Sequence, residues 1–101
     1  MKIEFLYFDG CPSYIKSLEN LKEVISEEHI IAELVLIKID GPEQAEENKF
    51  FGSPSIRING KDLEGRDGEA SFNCRIYTIN GQMTGIPSKG FIRENLVKFE
   101  Y

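Results

Sequence analysis

Phe8-Asp9-Gly10-Cys11-Pro12-Ser13-Tyr14 is the stretch on which the reading of the fold turns. An apolar run from Ile3 to Phe8 ends there, Asp9-Gly10 makes a turn, and a helical pattern begins beyond Pro12. Residues Lys2 to Phe8 read as a strand. Because Ile3, Phe5, Leu6, Tyr7 and Phe8 are nearly continuous, it reads as a strand buried on both faces. Pro12 suits the first turn of a helix, where its missing N–H is not needed. Cys11 or Gly10 is then the expected N-cap, and the free N–H groups and positive end of the helix point at the Cys11 sulfur. Such a place favours thiolate over thiol: a free cysteine titrates near ~8.5, and a helix start can bring it to between ~3.5 and ~7.5. Cysteine is often only a small buried hydrophobe. Here the flanking Gly10, the following Pro12 and the helix start predict an exposed and reactive sulfur instead.

From that turn the pattern runs on in order. Ser13 to about His29 is expected to be a helix with Ile15, Leu18, Leu21 and Ile25 on one apolar face, widened by Val24. His29 falls at its C-terminal end, roughly 25 Å from Cys11 at ~1.5 Å per residue, which removes the only histidine from any site built on that cysteine. Ala32 to Ile39 is a second strand, and Pro42 to about Phe50 a short helix opened by proline and acids. In Gly52-Ser53-Pro54-Ser55-Ile56-Arg57-Ile58-Asn59-Gly60, Ile56 and Ile58 alternate with Ser55 and Arg57 as in a strand that Pro54 begins. Asn59-Gly60 signals a type I′ hairpin, with Lys61 to Glu64 as the return strand. Gly65 to Asn73 reads as a loop, Cys74 to Ile79 as strand-like, Asn80-Gly81 as a second tight turn, and Lys89 to Phe99 as a last helix with Ile92, Leu96 and Phe99 on one face.

Composition narrows the function. One hundred and one residues, 41% of them apolar, make a single globular domain over 1–101. Twelve basic residues stand against 17 acidic ones, and the net charge of −5, with no basic cluster, argues against nucleic acid or an anionic membrane as partner. No apolar window approaches the ~18 residues of a membrane span, and Glu4 and Asp9 interrupt any signal-like run, so a cytoplasmic protein is expected. In that compartment two cysteines are more often redox-active or metal-binding than structural. Gly52 and Gly60-Lys61 only superficially suggest a phosphate loop: the spacing is wrong and Asp62 stands where Ser or Thr is required.

The order strand, helix, strand, helix, strand, strand, helix, with a cysteine-proline turn before the first helix and Gly52-Ser53-Pro54 before the hairpin, resembles the thioredoxin fold in its compact, glutaredoxin-sized form. The resemblance covers residues 2–64 and the final helix, and leaves residues 65–86 as an insertion. It implies an α/β fold, βαβαββα, with a mixed four-stranded central sheet. It further implies that Cys11 is the attacking cysteine, that Pro12 belongs to its motif, and that Pro54 is a cis-proline facing it. The backbone of Ser53 would then hold an extended substrate. The family's second cysteine is replaced by Tyr14, so cycling within the motif is impossible and Cys74 is the only partner thiol the chain contains. More narrowly, YFDGCPS, GSPSIRING and CRIY together resemble small thioredoxin-like proteins labelled alkylmercury-lyase-like.

Two placements of Cys74 remain open from the residues. If Lys61–Glu64 is the return strand, the loop after it starts beside Cys11 and could deliver Cys74 there; if Arg75–Ile79 is, Cys74 lies at the far end of the sheet. The first is favoured because Asn59-Gly60 demands an immediate return. Asp9 reads as a turn residue that could serve as a proton donor, and Tyr7 and Tyr14 as packing residues. The expected function is a thiol–disulfide oxidoreductase or redox carrier, needing no cofactor and acting on a thiol or disulfide substrate. The alternative is binding of a soft metal ion or processing of an organomercurial by Cys11, Cys74 and Asp9. A third reading is a redox-silent interaction domain.

Overall fold

Lys2–Tyr7 forms β1, the strand on which the sheet is built. It pairs in parallel with β2 (Glu33–Lys38) on one side and antiparallel with β4 (Ser55–Ile58) on the other. β5 (Lys61–Asp62) returns antiparallel on β4, so the mixed four-stranded sheet has the order β2-β1-β4-β5. Three helices accompany it: α1 (Tyr14–Glu27), α2 (Pro42–Glu47) and α3 (Lys89–Glu100). Two small sheets lie outside it. In one, β3 (Phe51–Ser53) pairs in parallel with β6 (Ser71–Cys74); in the other, β7 (Tyr77–Ile79) pairs with β8 (Gln82–Thr84). The structure, a computed structural model, describes residues 1–100. No helix among the described residues is long and apolar enough to cross a membrane.

The nearly continuous apolar run of β1 is explained by what covers it. Ile3 and Phe5 point to one face, where Ile56 and Ile58 of β4 meet Leu21 and Val24 of α1 and Ile92 and Leu96 of α3. Leu6 points to the other, against Ile39, Ala45 of α2 and Phe50. Fully burying one such side chain contributes roughly 1.5–3 kcal/mol. The two faces together fix β1 in the middle and place α1 and α3 on one side and α2 on the other. The Asn59-Gly60 turn has φ of 51° and 85°, both left-handed as a type I′ hairpin requires. Asn80-Gly81 repeats this with 53° and 78° between β7 and β8.

Several expectations need correcting. The helix begins at Tyr14, one residue after the expected start, and its N-cap is Ser13 rather than Cys11 or Gly10. The Asp9-Gly10 turn closes instead through the Cys11 N–H donating to Phe8 O (3.1 Å), which sets Cys11 ahead of the helix. Ile15 is 61% exposed and off the core face. The buried stripe runs through Ser17, Asn20, Leu21 and Val24, and its two polar members carry their own partners. Ser17 Oγ donates to Ser13 O, and Asn20 Nδ2 donates to Pro87 O at 3.0 Å, tying α1 to the start of α3. The return strand is two residues long rather than four. Finally, the run from Cys74 to Ile79 is two strands, and the first of them begins earlier, at Ser71, inside the expected loop.

Candidate active site

Cys11 sits at the end of the turn that follows β1, and it is 1% exposed. The exposed sulfur expected from its flanks is therefore corrected: the loop folds the thiol inward, where it donates a hydrogen bond to Ser53 O (3.3 Å). Ser53 ends β3, and its bond to Pro54 is cis. Ser53 Oγ accepts from the Phe8 N–H (3.4 Å), so this one residue joins the end of β1, the cysteine turn and β3.

The backbone edge of Ser53 is not open. β6 lies along it, with Cys74 as the register partner of Ser53 and Arg75 N–H donating to Ser53 O at 2.9 Å. Ser71 N–H donates to Phe50 O (2.7 Å) at the other end of the pair. The place where an extended substrate was expected to pair with Ser53 is thus filled by the chain itself. The same pairing brings Cys74 to the Ser53 peptide that Cys11 touches from within. Of the two placements left open for Cys74, the immediate return of β5 is the one observed, and the segment after it carries Cys74 alongside Ser53. Both cysteines are free thiols, not at disulfide distance; Cys11 is buried and Cys74 is exposed. Partial desolvation first, and then the hydrogen bond and charge of the neighbouring Cys11, push the Cys74 thiol up from its ordinary value.

What holds β6 in place is a buried cluster that the sequence reading did not find. The Arg75 guanidinium is fully buried and forks onto Asp62, Nη1 to Oδ1 at 2.7 Å and Nη2 to Oδ2 at 2.8 Å. Nη2 also donates to Glu64 Oε1 (2.8 Å) and Nη1 to Ser55 Oγ (3.2 Å), while the guanidinium carbon lies 4.6 Å from the centre of the Tyr77 ring. Tyr77 in turn donates its hydroxyl to Pro54 O (2.6 Å), and its burial pushes the phenol well above its ordinary range. The cluster therefore locks the residues that follow Ser53 and Cys74: Pro54 and Ser55 after β3, Arg75 and Tyr77 after β6. Gly52 fits the same junction. Its φ is +98°, and a Cβ there would stand 2.9 Å from Arg75 Cβ, so only glycine lets β6 approach.

Burial alone would push the Asp62 carboxyl up. The hydrogen bonds and charge of Arg75, with the N–H groups of Arg66 and Glu64, override it and hold the carboxyl below its ordinary range. A carboxyl depressed in the folded state stabilises the fold above its unfolded value, near ~3.9, and that stability is lost as pH falls through the folded value. We therefore expect the denaturant midpoint to fall with acid below about pH 4 more steeply in the wild type than in Asp62→Asn. Parallel acid profiles for the two proteins would refute this role for Asp62.

The remaining candidates are placed as follows. Asp9 is an exposed turn residue whose carboxylate pairs with Lys38 Nζ at 2.8 Å, so it is engaged on the surface and not turned to the thiols. Pro12 is exposed in the turn after Cys11. Tyr14, in the place of the missing second thiol, stacks on Tyr7 with ring centres 4.6 Å apart. His29 follows the C-cap of α1 at φ 51°, as a helix-end residue. Phe8 and Phe72 bring their rings to 4.8 Å, joining the cysteine turn to β6. Among the described residues no group of three or more His, Cys, Asp or Glu side chains could hold a metal ion. A cleft of about 600 Å³ lies between the end of α2 and the β4–β5 hairpin, but neither cysteine lines it. Lys49, Arg57, Lys61 and Arg66 face Glu47, Asp62 and Asp67 around it, a near balance of charge that selects no ligand sign. Comparison with protein-family models, with curated proteins and with solved structures found no match for the chain.

Proposed function

We propose that the chain is a thioredoxin-like thiol–disulfide exchange protein whose redox couple is Cys11 and Cys74. The sheet order β2-β1-β4-β5, with α1 and α3 on one face and α2 on the other, supports the fold assignment. The observation that carries the function is that both cysteines converge on the peptide of Ser53: the Cys11 thiol donates to its carbonyl, and Cys74 is its strand partner. In this reading Cys74 supplies from the insertion the second sulfur that Tyr14 displaces from the motif. The chemistry is two-electron: two thiols on the protein become one disulfide while an external disulfide becomes two thiols. The substrate is a thiol or disulfide, and the protein supplies both sulfurs without a cofactor.

The soft-metal reading draws on the same pair of thiols, but its proton donor, Asp9, is held by Lys38. Nothing in the geometry favours it over exchange.

A redox titration checks the exchange reading. Equilibrated in buffers of graded dithiothreitol, reduced to oxidised, the native protein is expected to pass through one two-electron transition in which its mass falls by two hydrogens. Separate adducts on each cysteine, with no such loss of mass, would count against it.

A further inference from the structure

The two thiols differ in one respect that decides how exchange proceeds. Cys11, at 1% exposed, lies under the Ser53 carbonyl, whereas Cys74 is open to solvent on β6. β6 is held over the Ser53 edge at both ends, by the Ser71 and Arg75 N–H groups, and Arg75 is anchored in turn by Asp62 and Glu64. An extended peptide would have to displace that strand, and the buried ion cluster with it, to reach Cys11. We infer that Cys74 is the sulfur through which external thiols and disulfides exchange, that Cys11 is the internal resolving thiol, and that the co-reactant is a compact or protruding disulfide rather than an extended strand. This assignment rests on the reading of the pair as a redox couple and adds the order in which the two sulfurs act.

In the oxidising direction the Cys74 thiolate, its proton lost to solvent, attacks one sulfur of the external disulfide. A Cys74 mixed disulfide forms, and the other sulfur leaves as a thiolate. Cys11, giving up the proton it shares with Ser53 O, then attacks Cys74 Sγ. The internal disulfide forms and the second external sulfur leaves as a thiolate; each departing thiolate takes up a proton. Two protein thiols are oxidised and one external disulfide is reduced. The second step requires the Cys11 and Cys74 sulfurs to close from their present separation. In the reverse direction an external thiolate attacks the accessible Cys74 sulfur and expels Cys11.

The test uses the full-length protein and its Cys11→Ser and Cys74→Ser variants with a small chromogenic disulfide, dithiobisnitrobenzoate. Cys11→Ser is expected to release one equivalent of coloured thiolate at the wild-type initial rate and to retain a stable adduct on Cys74. Wild type is expected to release a second equivalent and finish two hydrogens lighter, with no adduct. Cys74→Ser, its remaining thiol buried, is expected to react at least about tenfold more slowly when native and to recover in denaturant. If Cys74→Ser reacts at the wild-type rate while Cys11→Ser is slow, the assigned order is overturned and the redox couple stands. If wild type finishes as a double adduct, both are overturned. Rates that saturate with an extended peptide disulfide but not with the small probe would overturn the substrate class.

Discussion

Arg75→Ala is expected to destabilise the protein by about 3–5 kcal/mol, the cost of leaving buried carboxylates without their cation. Few single changes in a domain of this size would do more, since total stability is typically ~5–15 kcal/mol. The guanidinium is fully enclosed and satisfies Asp62 through a two-pronged fork, with Glu64 and Ser55 as further acceptors. Removing it strands Asp62, itself almost wholly buried, and takes the cation from the face of Tyr77. Arg75→Lys is expected to recover only a small part of the loss, because a single ammonium cannot reproduce the fork. Urea unfolding of the three proteins measures this. An Arg75→Ala midpoint within about 1 kcal/mol of wild type would mean that the cluster does not anchor β6. The same variant has a chemical readout: with β6 loosened, alkylation of Cys11 in the native protein should accelerate.

Phe5→Ala carries the second large effect, also about 3–5 kcal/mol. Phe5 is completely buried, pairs with Leu36 of β2 and Ile56 of β4, and lies on the face covered by α1 and α3. Leu36→Ala makes the contrast. It stands beside Phe5 in the sheet but on an outer strand and 45% exposed, so truncation there is expected to cost about 1 kcal/mol or less. Equal losses at the two positions would contradict the placing of β1 in the middle of the sheet and β2 at its edge.

The parts of the fold that were legible in the sequence are those fixed by neighbours in the chain. Asn59-Gly60 and Asn80-Gly81 each specify a left-handed pair of residues and so a hairpin, whatever lies around them. The nearly continuous apolar run of β1 announced cover on both faces. What was not legible depends on residues far apart in sequence. β6 is only four residues long and mostly exposed, and its partner β3 lies some twenty residues earlier, so Ser71–Cys74 carries little strand signal of its own. Arg75 belongs to a residue type that is almost never buried unpaired. Its burial follows from Asp62 and Glu64, which read only as residues of the short return strand. The exposure of Cys11 was misjudged for the same reason. Gly10 and Pro12 do shape a turn that could present a sulfur, but the Ser53 peptide and the strand beyond it close over that turn. That one thiol is hidden and the other accessible thus follows from a long-range pairing that local patterning does not encode.

The most direct measurement is a peptide map of the protein oxidised in its native, dilute state. Cleavage after lysine places Cys11 in residues 3–16 and Cys74 in residues 62–89. These two peptides are expected to appear joined by one disulfide and to separate on reduction. Recovery of residues 3–16 with a free thiol, while residues 62–89 are joined to a second copy of themselves or to the oxidant, would contradict a redox couple built across Ser53.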